Sequence, residues 1–402
     1  MNPSDPIAAL EIGTSRTAIA IAEPLPGGRI KIATLSSIPS SGVRKSQIVD
    51  VGQARYSLES VLKHLADQSD YSINQAYLAV SGPQIRATPT IEQCPVAGGV
   101  VRDEEIAEIE SRSGEAALPA DRYPIEYSPV CYKLDDVDNI ASPRGMSGRL
   151  LSLRALSIHG SAQRIADART AARDAKLEIS DIAFAGICAA TAVLVQQDKR
   201  DGALVIDLGG GSTSYTAWAD GQLAQAGVIG VGGDHVTNDV RVAFAVSQSQ
   251  AEQLKTSAAS AIIVAEDATI RVPVPNPMPG FKAPTVSRRA LNTVVNARLQ
   301  ELFTIIRIRI DEAGLLHRLN SGVVLTGGGS AMPGIVELAT AVFGNRVRIG
   351  TFVPEIEGLP DDTPPASYAV LAGLLLRAYK QATPEPSILD TFKNLFKRIF
   401  GK

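Results

Sequence analysis

An acidic residue followed by glycines and hydroxyl residues is the most chemically suggestive feature of the chain. Asp207 follows directly on the apolar run 204–206. Three glycines and two hydroxyl residues come next: Gly209, Gly210, Gly211, Ser212 and Thr213. Glycine N–H groups can approach a polyphosphate closely, and a carboxylate can orient a hydrated divalent cation. The stretch predicts a phosphate-binding β-hairpin, with an ordinary glycine turn as the alternative.

Two further stretches repeat parts of this design. Near the N-terminus, Glu11 ends an apolar run and is followed by Gly13, Thr14, Ser15 and Arg16. A third cluster, Gly327, Gly328, Gly329 and Ser330, follows another apolar run, and Ser330 with Pro333 predicts the start of a helix to about residue 341. The two acidic motifs lie about 200 residues apart, which suggests duplicated halves that close on one ligand. The chain has neither a Walker A ending nor a Gly-x-Gly-x-x-Gly motif.

Length and composition limit the class of protein. A chain of 402 residues predicts two or more domains, and a net charge of −3 gives no general attraction to nucleic acid. Its three cysteines are far apart, so we expect no disulfide framework and no zinc site, and a reducing cytoplasmic compartment. No signal sequence is present and no apolar run approaches the ~20 residues of a spanning helix. We expect a soluble chain unless a segment anchors it.

These motifs carry a family resemblance. Segments 11–14, 207–213 and 326–330 resemble the phosphate and adenosine motifs of the actin and heat-shock-chaperone ATPase superfamily. Within it, four segments resemble the bacterial cell-division FtsA family, of which the first is the most specific: 143–148, 230–239, 250–255 and 287–291. The resemblance extends over residues 7–402.

The resemblance implies an α/β, actin-like fold of two duplicated α/β halves around an ATP cleft, with the small β-rich insertion subdomain typical of FtsA. The implied first subdomain comprises residues 7–82, 161–199 and 357–380, and the insertion comprises residues 83–160. The implied second subdomain comprises residues 200–233 and 312–356, with an outer lobe at 234–311.

Several elements of this plan follow from local patterns. In the insertion, strands are predicted at 88–97 and 151–158, around an acidic helix at 102–117. A helix is expected at 366–379. The alternating prolines from Pro273 to Pro279 predict an edge hairpin or loop.

The cleft implied by the resemblance binds ATP and Mg²⁺. Glu11 and Asp207 would hold Mg²⁺ through water. The phosphates would contact Gly13, Thr14, Ser15, Arg16 and residues 209–213. Glu252 and Lys255 would lie at the ribose or adenine, with a solvated charged face as the alternative for this pair, and Gly233 would also bind the nucleotide. Residues 327–330 would approach the base, the ribose and the first phosphate.

Hydrolysis of ATP is a separate question. Glu11 stands where this superfamily usually has aspartate, and its extra methylene would displace the metal or water. In the segment where vigorous ATPases of the superfamily place a water-orienting polar residue, residues 188–193 offer only Thr191, a weak candidate. The expectation is a nucleotide-gated switch with slow or negligible turnover.

The C-terminal residues predict a membrane-targeting helix. Residues 381–387 are a polar, proline-containing linker, and residues 388–402 follow with apolar side chains at helical spacing. An apolar face flanked by cations suits an interface rich in anionic lipid. The membrane residues would be Phe392, Lys393, Leu395, Phe396, Lys397, Arg398, Ile399 and Phe400. A terminal helix docked on its own domain is the alternative.

A basic helix predicted at 287–316 suggests a partner site. In FtsA-like proteins the outer lobe receives the acidic C-terminal peptide of FtsZ, and the matching positions here are Arg288, Arg289 and Arg298. Ordinary solvated arginines are the alternative.

The resemblance as a whole implies an ATP-binding division protein that polymerises on the inner face of the cytoplasmic membrane and anchors FtsZ filaments at the division site. Its partners would be FtsZ, itself, anionic lipid and other division proteins, and no nucleic acid. A peptide-binding adaptor of pilus or secretion assembly is the first alternative, and a sugar kinase or polyphosphatase of the same superfamily is the second.

Overall fold

The computed structural model describes residues 6–114, 118–275, 284–360 and 363–382. Its strands are β1 Ile7–Ile12, β2 Arg16–Leu25, β3 Arg29–Pro39, β4 Val43–Arg44, β5 Gln47–Ile48, β6 Gln75–Val80, β7 Arg86–Pro95, β8 Arg122–Leu134, β9 Val137–Ile140, β10 Leu150–Ser161, β11 Glu178–Phe184, β12 Ala203–Leu208, β13 Thr213–Ala219, β14 Gln222–Ile229, β15 Arg271–Pro273, β16 Thr285–Ser287, β17 Gly322–Thr326, β18 Val347–Ile349 and β19 Ile356–Glu357. Its α-helices are α1 Val51–Gln68, α2 Asp103–Gly114, α3 Ala162–Asp174, α4 Ala185–Val193, α5 Gln196–Asp201, α6 Gly233–Phe244, α7 Gln248–Ala258, α8 Arg288–Glu312, α9 Ile335–Phe343 and α10 Ala369–Ala382.

Two sheets repeat one strand order. The first sheet contains β3-β2-β1-β6-β11, with β19 added at the β3 edge, and the second contains β14-β13-β12-β17-β18. In each sheet three antiparallel strands are followed by two parallel ones. The register repeats as well, because Glu11 pairs with Ala18 and Asp207 pairs with Ser214, in both cases seven residues further along the chain. The duplicated α/β halves are therefore confirmed.

Helices α4 and α10 lie between the two sheets. Small and aliphatic side chains of both helices join one buried cluster with residues of both sheets, among them Ala18 and Val205. The two helices cross so closely that a Cβ on Gly373 of α10 would lie 1.7 Å from the carbonyl oxygen of Cys188 in α4. Glycine is required at this crossing, and the pair holds the two sheets on either side of a common cleft.

The insertion is a β-rich subdomain, as expected. Its sheet has the order β7-β10-β8-β9, and Ile109 of α2 packs with Leu151 and Leu153 of β10 in its core. The sequence patterns indicated β7, β10 and α2 but missed β8 and β9. Prolines explain why β8 was missed. The register between β8 and β10 shifts beside Pro124 and beside Pro129, and these shifts break the alternation of apolar and polar side chains that marks a strand.

Other element boundaries differ from the prediction. The helix expected from Ser330 begins at Ile335, because Gly334 with φ +75° separates it from a short 3₁₀ turn over Gly328–Ala331. Helix α8 begins after its N-cap Ser287, as predicted, but ends at Glu312. The proline-rich stretch contributes β15, which pairs with β16 in a small separate sheet, as expected for a hairpin.

The C-terminal predictions fall largely outside the described residues. Helix α10 extends to Ala382, so Gln381 is helical and does not begin a linker. The rest of the predicted linker and the whole predicted membrane helix, residues 388–402, lie outside the described residues. Among the helices that the structure describes, none combines the length and apolarity needed to cross a bilayer.

Candidate functional site

The two acidic hairpins have the same turn and face each other. The N–H of Gly13 donates to the carbonyl of Arg16 at 2.9 Å, and the N–H of Gly209 donates to the carbonyl of Ser212 at 3.1 Å. A Cβ on Gly211 would lie 2.3 Å from Thr14 Oγ1. This glycine therefore lets the second hairpin approach the first, and it does so without lining the cavity between them.

A cavity of about 360 Å³ lies between the hairpins, and the third glycine cluster forms part of its wall. Most of the residues predicted to bind a nucleotide line it together: Glu11, Gly13, Thr14, Ser15, Arg16, Asp207, Gly209, Gly210, Ser212, Gly233, Glu252, Lys255, Gly327, Gly328 and Gly329. Segments that are far apart in sequence thus converge on a single cleft.

Three predicted hydroxyl residues do not line this cleft. Thr213 is fully buried and its Oγ1 donates to the carbonyl of Val231 at 2.8 Å. Ser330 donates to the carbonyl of Gly327 at 2.7 Å, and Thr191 donates to Ile187 within its own helix at 2.9 Å. In the structure these hydroxyls serve local backbone geometry.

Glu11 and Asp207 form an acidic pair in the cleft wall. Burial raises the pKa of Glu11, while Arg16 opposes the rise. Burial, followed by the charge of Glu11, raises the pKa of Asp207 to about 7 from its ordinary value of 3.8, and Arg16 and the hydroxyl of Thr326 lower it in part. Two desolvated carboxylates with raised pKa values are poised to release protons when a cation arrives.

The donor set fits a hydrated divalent ion. Glu11 Oε2 is buried and has no hydrogen-bond partner among the described residues. Within the described ranges no cluster of three or more histidine, cysteine, aspartate or glutamate side chains could hold a metal. Two carboxylates would therefore leave most coordination positions to water and to phosphate oxygens, which is the usual arrangement for Mg²⁺.

Arg16 is the cation of the first hairpin. Its guanidinium lies 3.9 Å from the centre of the Tyr368 ring, and its Nη2 donates to the carbonyl of Ser367. These contacts join the first hairpin to the segment that leads into α10 and fix a positive charge beside the two carboxylates.

The third glycine cluster approaches the second hairpin. Gly327 has φ +80°, and a Cβ there would lie 2.6 Å from the carbonyl oxygen of Leu208 and 2.7 Å from Asp207 Oδ1. A Cβ on Gly328 would meet nothing within 4 Å, so this residue presents bare backbone to the cleft. The fold thus requires glycine at position 327, where a Cβ has no room, but has room for a Cβ at position 328.

Glu252 and Lys255 lie on one face of α7, as their spacing predicts. Lys255 Nζ lies 2.7 Å from Glu252 Oε2 and 2.9 Å from Thr237 Oγ1, and it is largely buried. Both side chains line the cleft, so the pair is not simply a solvated charged face.

Several cleft residues escaped the sequence analysis, among them Ser46, Ser81, Asp234 and Ser367. Ser81 Oγ lies 2.8 Å from Ser214 Oγ, and Ser46 Oγ lies 2.8 Å from Ser212 Oγ. None of these residues follows the strand, acid and glycine pattern, so that pattern gave no signal for them.

The three predicted partner arginines are in different environments. Arg288 forms an ion pair of 3.2 Å with Asp267, which is only 1% exposed. Arg298 is paired with Asp239 at 2.6 Å and with Glu301. Arg289 is exposed and makes no ion pair with any described residue.

Two family models match this chain. The model of "Cell division protein FtsA" matches residues 204–373, and the model of the "SHS2 domain inserted in FTSA" matches residues 82–159. The chain belongs to the FtsA family. Relatives of this FtsA-family chain include cell division protein FtsA of Pseudomonas aeruginosa, 28% identical over 92% of this chain and 88% of the relative. The protein of the same name from Bacillus subtilis is 26% identical over 95% of this chain and 85% of the relative.

Solved structures with the same fold include the PilM-PilN type IV pilus biogenesis complex, with a TM-score of 0.64 and 17% identity over 94% of this chain and 99% of that one. MreB5 of Spiroplasma citri bound to ADP has a TM-score of 0.56 and 14% identity over 95% and 100% of the two chains. The actin-like fold and the FtsA-type insertion are confirmed.

Proposed function

We propose that this FtsA-family protein acts in cell division by binding Mg²⁺–ATP in the cleft, assembling on the inner face of the cytoplasmic membrane and anchoring FtsZ filaments there. The observation that carries the nucleotide part is the convergence of Glu11, Asp207 and the Gly327 cluster on one cavity. The relatives named cell division protein FtsA support the division role.

In the proposed complex the phosphates lie between the two hairpins. The N–H groups of the glycine turns and the hydroxyls of Thr14 and Ser212 donate to phosphate oxygens. Glu11 and Asp207 hold Mg²⁺ through water, and the ion supplies the positive charge that the acidic pair lacks. MreB5 of Spiroplasma citri, a fold neighbour, has been solved with ADP and with AMPPNP, which supports the choice of an adenine nucleotide.

Turnover of ATP is proposed to be slow. Helix α4 contributes Ala185 to the cleft wall, and the hydroxyl of Thr191 is bonded to its own helix. No polar side chain of α4 thus stands ready to orient a water molecule, a feature that fast phosphoryl transfer requires. The nucleotide then serves to set a conformation for assembly.

The FtsZ contact is proposed at the exposed start of α8. Arg289→Glu is expected to weaken binding of an acidic FtsZ C-terminal peptide about fivefold, because one exposed charge contact is worth about 1 kcal/mol. Fluorescence anisotropy with a labelled peptide measures this. Arg307→Glu, also exposed and about 27 Å further along the same helix, is the matched control. Equal effects of the two changes would contradict the assignment. Arg288 is unsuitable for the test, because a glutamate there would face buried Asp267.

The membrane contact is proposed at the C-terminal segment. Removing residues 387–402 is expected to abolish co-sedimentation with vesicles that contain anionic lipid, because the apolar face and its flanking cations are lost. In the full chain, Phe396→Glu with Phe400→Glu should act in the same way, whereas Asn394→Glu on the polar side is the matched control. Undiminished sedimentation of the truncated protein would refute membrane binding by this segment.

Assembly can be examined on the same lipid. Electron microscopy of the protein on lipid monolayers with and without ATP should show filaments only when both the lipid and the nucleotide are present. A peptide-binding adaptor of pilus or secretion assembly is the alternative function, and it should bind its peptide partner whether or not residues 387–402 are present. The match to the domain described as inserted in FTSA favours the division role.

A further inference from the structure

A strained turn enters the cleft from the first subdomain. Strands β4 and β5 are joined by the two residues Lys45 and Ser46, whose φ angles are +49° and +56°. A hairpin turn with two left-handed residues normally uses Asn-Gly, and each non-glycine residue in this conformation costs on the order of 1 kcal/mol. Such strain persists where the surroundings fix the conformation, and it is common at ligand sites.

The surroundings of this turn are the two phosphate hairpins. The N–H of Ser46 donates to Thr14 Oγ1 at 2.7 Å, and the Ser46 hydroxyl shares a hydrogen bond of 2.8 Å with the hydroxyl of Ser212. A Cβ on Gly211 would lie 2.7 Å from the Cα of Lys45. Ser46 therefore contacts both hairpins and also lines the cavity between them.

The charge of Lys45 acts on the first turn of α6, whose Gly233 and Asp234 line the cleft. His235, in the first turn of α6, has a pKa lowered first by burial and next by the charge of Lys45, with Arg298 adding to the effect and Asp234 and Asp239 opposing it. The turn therefore brings a hydroxyl and a nearby cation to the end of the cleft that both hairpins share.

The next residue of β5 connects the turn with the insertion subdomain. Gln47 Nε2 donates to Gln84 Oε1 at 2.7 Å, at the point where the chain enters the insertion. The main-chain carbonyl of Gln84 accepts from Arg122 Nη2 at 2.8 Å, and Arg122 Nε donates to His159 Nδ1 at 2.8 Å. These hydrogen bonds, joined through the covalent structure of Gln47 and Gln84, thus link the cleft to two strands of the insertion, β8 at Arg122 and β10 at His159.

The geometry points to the Lys45–Ser46 turn as the part of the site that distinguishes a nucleoside triphosphate from a diphosphate, and to Gln47 and Gln84 as its connection to the insertion. This inference rests on the proposed ATP site. In the triphosphate complex the Ser46 hydroxyl donates to the terminal phosphate instead of sharing a hydrogen bond with Ser212. The Lys45–Ser46 turn shifts as a result, and this shift alters the hydrogen bond between Gln47 and Gln84. Coupling between the nucleotide cleft and the insertion subdomain requires an element with two states whose equilibrium is shifted from either site.

Two substitutions of Ser46 test the first step. Ser46→Ala removes the hydroxyl and keeps the strain, whereas Ser46→Gly removes the hydroxyl and relieves the strain, so the second variant folds even if the first does not. Calorimetric titration with Mg²⁺ and either AMPPNP or ADP should show the preference for the triphosphate falling about tenfold in both variants, with ADP affinity changed by less than about twofold. Ser60→Ala, a helix serine outside the cleft that bonds to Tyr56, is the matched control.

Hydrogen exchange tests the second step. In the wild-type protein, residues 122–134 should exchange at different rates with AMPPNP and with ADP, and Gln84→Leu should abolish the difference while the triphosphate preference changes by less than about threefold. An unchanged preference in both Ser46 variants would overturn the inference and leave the proposed ATP site intact. Failure of the wild-type protein to bind either nucleotide would overturn both.

Discussion

Asp207→Asn is expected to abolish Mg²⁺–ATP binding and, at the same time, to stabilise the nucleotide-free protein above pH 7. The carboxylate is one of the two acids proposed to hold the ion, and an amide neither carries the charge nor deprotonates. In the nucleotide-free protein desolvation of this carboxylate, followed by the charge of Glu11, raises its pKa to about 7. The Asp207 carboxylate thus stabilises the complex with Mg²⁺–ATP and destabilises the nucleotide-free protein.

The sign of the pH dependence follows from this raised pKa. The unfolded chain releases the Asp207 proton near its ordinary pKa of 3.8, whereas the folded protein retains it up to about pH 7. Because the folded state binds more protons in this interval, the free energy of unfolding falls as pH rises from about 4 to 7 and is level above that. Asp207→Asn removes this contribution, on the order of 2 to 4 kcal/mol.

Thermal unfolding without nucleotide measures the effect. The variant should unfold a few degrees above the wild-type protein at pH 8, and the difference should disappear towards pH 4. Asp136→Asn, an exposed position in the insertion subdomain, is the matched control and should show neither effect. A variant that binds Mg²⁺–ATP as tightly as the wild-type protein would contradict the metal assignment. Equal unfolding temperatures of the variant and the wild-type protein at pH 8 would contradict the claim that the charge of Asp207 destabilises the nucleotide-free protein.

The acidic hairpins were predictable because their geometry is local. An acid at the end of a strand, a glycine turn and a returning strand fix the register, and the same local rule places Glu11 and Asp207 at equivalent positions. The same rule also limits the prediction. Ser212 lies in the turn and lines the cleft, whereas Thr213 is the first residue of β13 and its hydroxyl donates to the carbonyl of Val231 instead of facing a phosphate.

Contacts between distant segments were beyond the reach of local patterns. Ser46 joins the site through partners 32 and 166 residues away, and its turn contains no glycine to mark it. Arg288 and Arg298 look equivalent to Arg289 in the sequence, but Arg288 pairs with Asp267 and Arg298 pairs with Asp239, 59 residues away, and these residues become neighbours only in the folded lobe. Tertiary pairing decides which charges remain available to a partner.

The neighbouring glycines 327 and 328 provide the sharpest test of the cleft, because alanine should act on them in opposite ways. Gly327→Ala is expected to destabilise the second subdomain by about 3 kcal/mol or more, since its methyl group would lie within 2.7 Å of Leu208 and of Asp207 Oδ1 at a φ of +80°. Displacement of Asp207 should also abolish nucleotide binding in any protein that still folds.

Gly328→Ala should leave the fold intact or stabilise it by about 0.4 to 1 kcal/mol, because its methyl group meets no atom within 4 Å and the unfolded chain loses freedom. The methyl group would nevertheless occupy space on the cleft wall that the proposed nucleotide needs, so ATP affinity should fall about tenfold or more while the unfolding temperature does not. Thermal unfolding and calorimetric titration of the two variants separate these outcomes. If Gly328→Ala bound ATP normally, the third glycine cluster would position Asp207 without contacting the nucleotide. If Gly327→Ala were as stable as the wild-type protein, the close approach of this loop to the second hairpin would be contradicted.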